Sequence, residues 1–423
     1  MTSDLLTCDI TGLAHGGAGV ARVDGRVVFV TGALPGETVR VEVTDDSRSS
    51  WWRGRTVDIV SPSPDRTPVS CPAAAAGAGC CDLAYGTVAA IRRAKTTILS
   101  DALTRIGRLE PPTGLAVEAI GEESGHDWRI RARLGVGPSG AVGFRAAHGT
   151  AIVDAPCAAL TASLADAIAE LGGRRGRPDA GDLAPGSEVL AVHDDDGGVH
   201  LAVLAGAGAQ QKGAGRAAAQ RRRARHQRAL RPRILSGSAT VRYRVGPRTW
   251  DLPVQAFWQA HRGAPEVYSR TAAGWLAEAG VTGAVWDLYG GAGVFAGAAL
   301  DSGADRVTIV DTAADVLAAA GRVFDGRAVT TRRGPVTPGA LAELPPPAAV
   351  VLDPPRSGAG TAVMDAVVAA APDAIVHVGC DPAAFARDVG RAVAGGYRLA
   401  KVRGFDAFPL THHVEAMGLL VLR

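Results

Sequence analysis

Residues Ala284–Leu300, AVWDLYGGAGVFAGAAL, decide how this chain folds. The stretch from Ala284 to Tyr289 reads as a strand, Gly290 to Gly293 as a tight turn, and Val294 to Leu300 as the helix behind it. Glycines at such a turn let the backbone come close to a ligand. Downstream, the next strand, Arg306 to Val310, ends at Asp311, close to the ~20-residue spacing at which an acid takes ribose hydroxyls. Strand and helix go on alternating beyond about Ser236, which predicts a parallel sheet with helices on both faces. A nucleotide-like cofactor follows, although the turn alone suits NAD, FAD or S-adenosylmethionine equally.

Two later stretches narrow the chemistry. Val350-Val351-Leu352 runs into Asp353-Pro354-Pro355-Arg356, a rigid loop that carries a carboxylate where the fourth strand should meet the ligand. Hydride transfer has no need of such a loop. In Ala374–Arg387, AIVHVGCDPAAFAR, an apolar run stops at Cys380 and a helix begins at once, with Asp381 suited to cap it and Pro382 to its first turn. The positive end of the helix dipole would favour the thiolate of Cys380, while the adjacent Asp381 opposes it. The plainer alternative is a small buried residue at a strand end.

The 423 residues allow two or three domains, each with its own core. No run of about 18 residues is continuously apolar, which argues against a membrane span. The N-terminus lacks a basic flank followed by an apolar core, so the reading is a cytoplasmic protein, expected to be a monomer. A formal net charge of +3 announces no nucleic-acid partner by itself, but the arginines are unevenly placed. Six cysteines in a long cytoplasmic chain suggest ligation rather than disulfides, and four of them, Cys71, Cys80, Cys81 and Cys157, form a candidate site for an iron–sulfur cluster, with a four-cysteine zinc site or plain reduced thiols as alternatives.

Upstream, residues 1–61 read as short strands separated by Gly-rich and Pro-Gly turns, which predicts a small OB-like β-barrel. With its glycine-rich turn, GRVVFV and ALPGETVRVEV, the stretch resembles the TRAM domain of RNA-modifying enzymes. Such barrels bind RNA, and Trp51, Trp52, Arg53 and Arg55 offer stacking and phosphate contacts. Residues 62–235 form a central α+β domain. It holds a basic amphipathic helix over Val88–Leu109, expected to pack on the catalytic domain, and an alternating segment, Trp128 to Leu134, with Arg129, Arg131 and Arg133 on one face. The run 216–233 is strongly basic and suits either RNA backbone or a solvated face. Residues 236–423 form the Rossmann-like domain.

Five segments in order, AFWQAH, DLYGGAGVF, VLDPPRSGAG, VGCDPAAFARD and FPLTHHVE, resemble the class I S-adenosylmethionine-dependent RNA uracil-5-methyltransferases. The resemblance spans the whole chain once the barrel is included. It implies Gln259, Tyr289, Gly291, Gly293, Asp311 and Asp353 as cofactor-binding residues, Cys380 as nucleophile and Glu415 as base. It also implies a four-iron four-sulfur cluster, since such enzymes often carry two cysteines with five to seven residues between them, then Gly-Gly-Cys, and one distant cysteine. Here Ala78 stands at the middle position and an adjacent Cys80-Cys81 pair replaces the usual spacing. Members also commonly carry Asn where Val294 stands and Cys where Gly290 stands.

The implied reaction is methylation of uridine carbon 5 on 23S rRNA, with transfer RNA as the alternative. The base would have to leave its stack, so single-stranded or locally unfolded RNA is expected. Two readings of other classes are a nucleotide-cofactor oxidoreductase, in which Cys380 would have no role, and an RNA-binding protein without catalysis.

Overall fold

The computed structural model describes residues 5–147, 149–173, 183–204 and 232–423. The basic run 216–233 lies outside the described residues except for its last two.

The N-terminal strands Leu6–Asp9, Gly12–Leu13, Gly19–Val23, Arg26–Thr31, Thr38–Asp45 and Trp51–Ser61 form one six-stranded sheet. It curls around a small core that includes Ile10, Ala21, Val28, Val30, Val39 and Val41. The alternation of these residues along their strands is what turns one face inward. Gly54 is required where the long last strand crosses its neighbour. A Cβ there would lie 2.3 Å from Val41 Cγ1 and 2.9 Å from the carbonyl oxygen of Glu42. Trp52 packs against the core, with the Arg26 guanidinium 4.8 Å from its ring centre. Trp51 meets Phe29 edge-on, and Arg53 lies over its ring at 5.3 Å.

A second, antiparallel sheet holds Ile152–Val153, Val142–Arg145, Arg131–Val136, Glu188–His193, Val199–Leu204 and Arg233–Ser236, in that spatial order. The arginine-bearing segment finds its partners inside the protein. Arg131 donates to the Tyr243 hydroxyl and to the carbonyls of Val254 and Ala256, and Arg133 pairs with Glu188 at 3.3 Å. Arg129 lies over the rings of Trp128 and Phe144. All three arginines thus find partners within the fold itself: carbonyls, a hydroxyl, rings and one carboxylate.

The third sheet has eight strands, in the order Val329–Arg333, Arg306–Asp311, Ala284–Leu288, Ala349–Leu352, Ala374–Gly379, Glu415–Leu422, Tyr397–Asp406 and Val117–Ala119. The first five are parallel, and Glu415–Leu422 turns back antiparallel to Ala374–Gly379. The parallel strands are buried along nearly their whole length in the centre of the sheet, as strands covered on both faces must be. The last position is taken by a strand from far upstream. Val117–Ala119 follows the helix Val88–Arg105, and that helix packs through Leu99, Ala102 and Leu103 against Phe385, Ala386 and Val389. The approach is close because it uses glycines. A Cβ on Gly390 would lie 2.5 Å from the carbonyl oxygen of Gly107.

Candidate active site

Strand register brings the chemistry together. Gly379 pairs with Ala416, so Cys380, just past the end of Ala374–Gly379, sits beside Glu415 at the start of the antiparallel strand. Leu352 pairs with both Leu288 and His377, which places Asp353 and Tyr289 at the same edge. This is the carboxyl end of a parallel sheet, where ligands of such folds bind. A cleft of about 1120 Å³ opens there, and its lining includes Gln259, Tyr289, Gly291, Asp311, Asp353, Cys380 and Glu415.

Gly293 is not part of that lining; it serves the turn beneath. It has φ 79°, and a Cβ would meet Ile309 Cδ1 at 2.7 Å and Phe324 at 2.9 Å, so it allows the helix Val294–Asp301 to start against its own sheet. Tyr289 adopts φ 58°, the left-handed region that a residue with a side chain rarely occupies, as the chain turns out of the strand. Asp311 accepts hydrogen bonds from the backbone N–H of Gly291 at 3.1 Å and of Ala313 at 2.8 Å, which ties the second strand end to the glycine turn.

Asp287 is a residue whose importance the sequence reading passed over. It lies fully buried under the turn, and its Oδ2 accepts the backbone N–H of Ala296 at 2.9 Å. Burial, with Asp353 and Asp311 nearby, pushes its carboxyl up to about 8. A Cβ on Gly290 would lie 2.5 Å from its carboxyl carbon, so the carboxyl fills the space under the glycines. An acid inside an otherwise apolar strand was the available signal.

Asp381 caps the helix Pro382–Ala394, accepting the N–H of Ala384 at 2.8 Å, and its other oxygen accepts from His15 Nε2 of the barrel at 3.0 Å. At Cys380 burial adds to the forces set against the helix dipole. Burial, with Glu415 and Asp353 adding to it, pushes the thiol up to about 12. Burial and Asp353 likewise raise Glu415 to about 8, and burial alone raises Asp353 to about 7. These shifts outweigh one helix dipole. Arg356 is the cation that counters the rise at both Cys380 and Glu415. It is held by His413, whose ring burial keeps neutral by pushing its pKa down to about 3, and Nε2 accepts from Arg356 at 3.2 Å. Glu415 is not paired with either neighbouring histidine among the described residues, since His412 instead meets Asp82 at 2.6 Å.

The arrangement suits S-adenosylmethionine. A glycine turn and Asp311 flank one part of the cleft, and the acidic group of Asp353 and Glu415 would be relieved by a positively charged sulfonium.

Cys71, Cys80, Cys81 and Cys157 gather elsewhere, all buried, with their four sulfur atoms within 4.8 Å of one another. The adjacent pair therefore does reach one centre. The spacing is too short for the expected four-iron cluster. There each thiolate binds its own iron, and the metal–metal edge lies between the sulfurs, which stands them about 6 Å apart.

The TRAM domain family matches residues 5–50, and the tRNA (uracil-5-)-methyltransferase family matches residues 347–423. An uncharacterised RNA methyltransferase of Corynebacterium glutamicum is 37% identical over 99% of this chain and 97% of its own length. The 23S rRNA (uracil(1939)-C(5))-methyltransferase of Halomonas elongata is 32% identical over 97% of this chain and 88% of its own. Among solved structures, the Pyrococcus abyssi tRNA (uracil-54, C5)-methyltransferase with S-adenosyl-L-homocysteine superposes with a TM-score of 0.71, covering 98% of this chain and all of that one, at 18% identity. That likeness shows the fold. The chain belongs to the S-adenosylmethionine-dependent RNA uracil-5-methyltransferases, with an N-terminal TRAM domain. It is an enzyme that acts on RNA, and no described helix is long and apolar enough to cross a membrane.

Proposed function

We propose that this enzyme methylates carbon 5 of a uridine in 23S ribosomal RNA through a covalent adduct between Cys380 and carbon 6. The observation that carries this reading is the meeting of Cys380, Glu415 and Asp353 at one cleft beside the glycine turn. The ribosomal substrate is favoured by relatives of that activity which match nearly the whole chain. Gln259, Tyr289, Gly291, Asp311 and Asp353 would bind S-adenosylmethionine, and Gly293 would shape the turn on which it rests.

S-adenosylmethionine supplies the methyl group as an electrophilic sulfonium. Carbon 5 of uracil is too weak a nucleophile to take it unaided. Once the Cys380 proton has passed to solvent, a loss that Arg356 favours, addition of the thiolate to carbon 6 moves electron density onto carbon 5. That carbon forms the new carbon–methyl bond as the methyl–sulfonium bond breaks and S-adenosylhomocysteine leaves as a neutral thioether. Carbon 5 now bears both a methyl group and its original proton. Glu415 removes that proton, the double bond re-forms, and the cysteine leaves as thiolate. Arg356 steadies the anionic thiolate and carboxylate that the step requires.

The exposed Phe257 ring, 73% accessible at the mouth of the cleft, offers a surface for an extruded base. The substrate would then be single-stranded or locally opened. The test is to map 5-methyluridine in ribosomal and transfer RNA from cells with and without the gene. A methyl group lost from 23S RNA and restored by purified enzyme supports the reading; a loss confined to transfer RNA overturns the ribosomal substrate.

A further inference from the structure

We propose that Cys71, Cys80, Cys81 and Cys157 hold a single tetrahedral zinc ion. Sulfurs around one ion at the usual bond length of ~2.3 Å stand about 3.8 Å apart. Cys157 Sγ and Cys80 Sγ lie 3.7 Å apart, and no two of the four exceed 4.8 Å. The tetrahedron is therefore the right size for one metal atom and too small for a cage of four.

The donor set agrees with the geometry. Among the described residues the group holds four thiolates and no imidazole or carboxylate; thiolates are soft ligands, and a closed four-sulfur tetrahedron is the pattern of a structural ion rather than of one that binds water. All four cysteines are buried, between 0% and 8% exposed, within an apolar cluster that includes Leu83, Trp128 and Leu134. The Cys71 sulfur accepts the backbone N–H of Ala158 at 3.4 Å, an outer hydrogen bond of the kind that orients a metal-bound thiolate.

The sequence change accounts for the difference in size. Ala78 stands where the middle cysteine of the iron–sulfur pattern would be, and the neighbouring Cys80 and Cys81 must both reach the centre from one short piece of backbone. Sulfurs on consecutive residues are more easily brought around one atom than spread over two corners of a larger cage. The ion has a structural task close by. Asp82, next to Cys81, accepts from the backbone N–H of His412 at 3.2 Å as well as meeting its ring, and Leu83 N–H donates to the carbonyl of Leu410 at 3.0 Å. The cysteine loop thus braces the segment that leads into Glu415.

The experiment is elemental analysis of full-length protein, expressed with both iron and zinc supplied and purified without oxygen, with acid-labile sulfide measured on the same sample. One zinc per chain, no sulfide and no visible colour are expected. Titration of the wild-type protein with an organic mercurial should release the zinc as four thiols react. Cys157→Ser should bring zinc well below one per chain. Four irons with matching sulfide would overturn the proposal in favour of a cluster, and metal-free protein would overturn it in favour of plain thiols. Zinc that survives Cys157→Ser in folded protein, or release unconnected with thiol reaction, would place the ion elsewhere and overturn it too. None of these readouts depends on methyl transfer.

Discussion

Lys95 donates to Asp406 at 2.5 Å and to the carbonyl of Phe408 at 2.9 Å, with both charged side chains only 1% exposed, although 311 residues separate them in sequence. The pair ties the helix Val88–Arg105 to the strand that leads toward the catalytic segment. Burial pulls the Lys95 pKa down, and Asp406 counteracts it. Lys95→Met should lower stability by up to ~3–5 kcal/mol, because it leaves the buried Asp406 carboxylate with only the Arg92 guanidinium, 3.7 Å away, as a charged partner. Adding Asp406→Leu should recover much of the loss. Urea unfolding of the two variants checks this, and a Lys95→Met protein as stable as wild type would show the pair to be dispensable.

Cys380→Ala should reduce methyl transfer by at least about 10³-fold while leaving S-adenosylmethionine binding within a few-fold of wild type. The thiol is needed for addition to carbon 6, whereas the proposed cofactor contacts come from other strands. Substantial residual turnover measured with labelled cofactor would remove Cys380 from the nucleophile role.

Glu415→Gln should trap the enzyme on its RNA. Addition and methylation precede removal of the carbon 5 proton, so losing the base stops the last step alone. A denaturing gel should show a slowly migrating RNA–protein band that needs both S-adenosylmethionine and Cys380. Normal turnover would mean that another group takes the proton, and a variant with neither turnover nor band would mean that Glu415 acts earlier.

Affinity for S-adenosylmethionine should rise with pH. Asp353 and Glu415 are raised by burial to about 7 and about 8, so both are largely protonated below neutrality. A cationic ligand binds their ionised forms better, and binding must therefore release protons. Affinity is expected to increase between pH 6 and 8, by up to about tenfold per unit for each acid that ionises on binding, and then level off. Calorimetry in buffers of different ionisation heat measures the proton release directly, and a flat profile would show that the cofactor's charge lies away from these acids.

Much of the catalytic domain was legible in the sequence because its signals are local. The glycine turn after Ala284–Leu288, the Asp353-Pro354-Pro355-Arg356 loop and the Asp381 cap each depend on neighbours within a few residues, and each sits where the pattern put it. Asp287 escaped notice because its role beneath the turn depends on what a three-dimensional fold packs against it. The partners of the three arginines near Trp128 could not be read from the sequence, because alternation reports which face a side chain takes, not what waits on that face.

The sequence by itself determined the alternation of strand and helix beyond Ser236, the glycine turn after the first of those strands, and which residue types stand at the positions proposed for nucleophile and base. Only tertiary structure decided their electrostatics and their company. Desolvation is a property of the assembled site, so the rise of the Cys380, Glu415 and Asp353 pKa values could not be read from a cysteine next to a helix start. Strand Val117–Ala119 joins a sheet whose other members begin at Ala284, and four sulfurs from residues 71 to 157 meet within 4.8 Å. Such contacts are fixed by long-range packing and register, to which local pattern is blind.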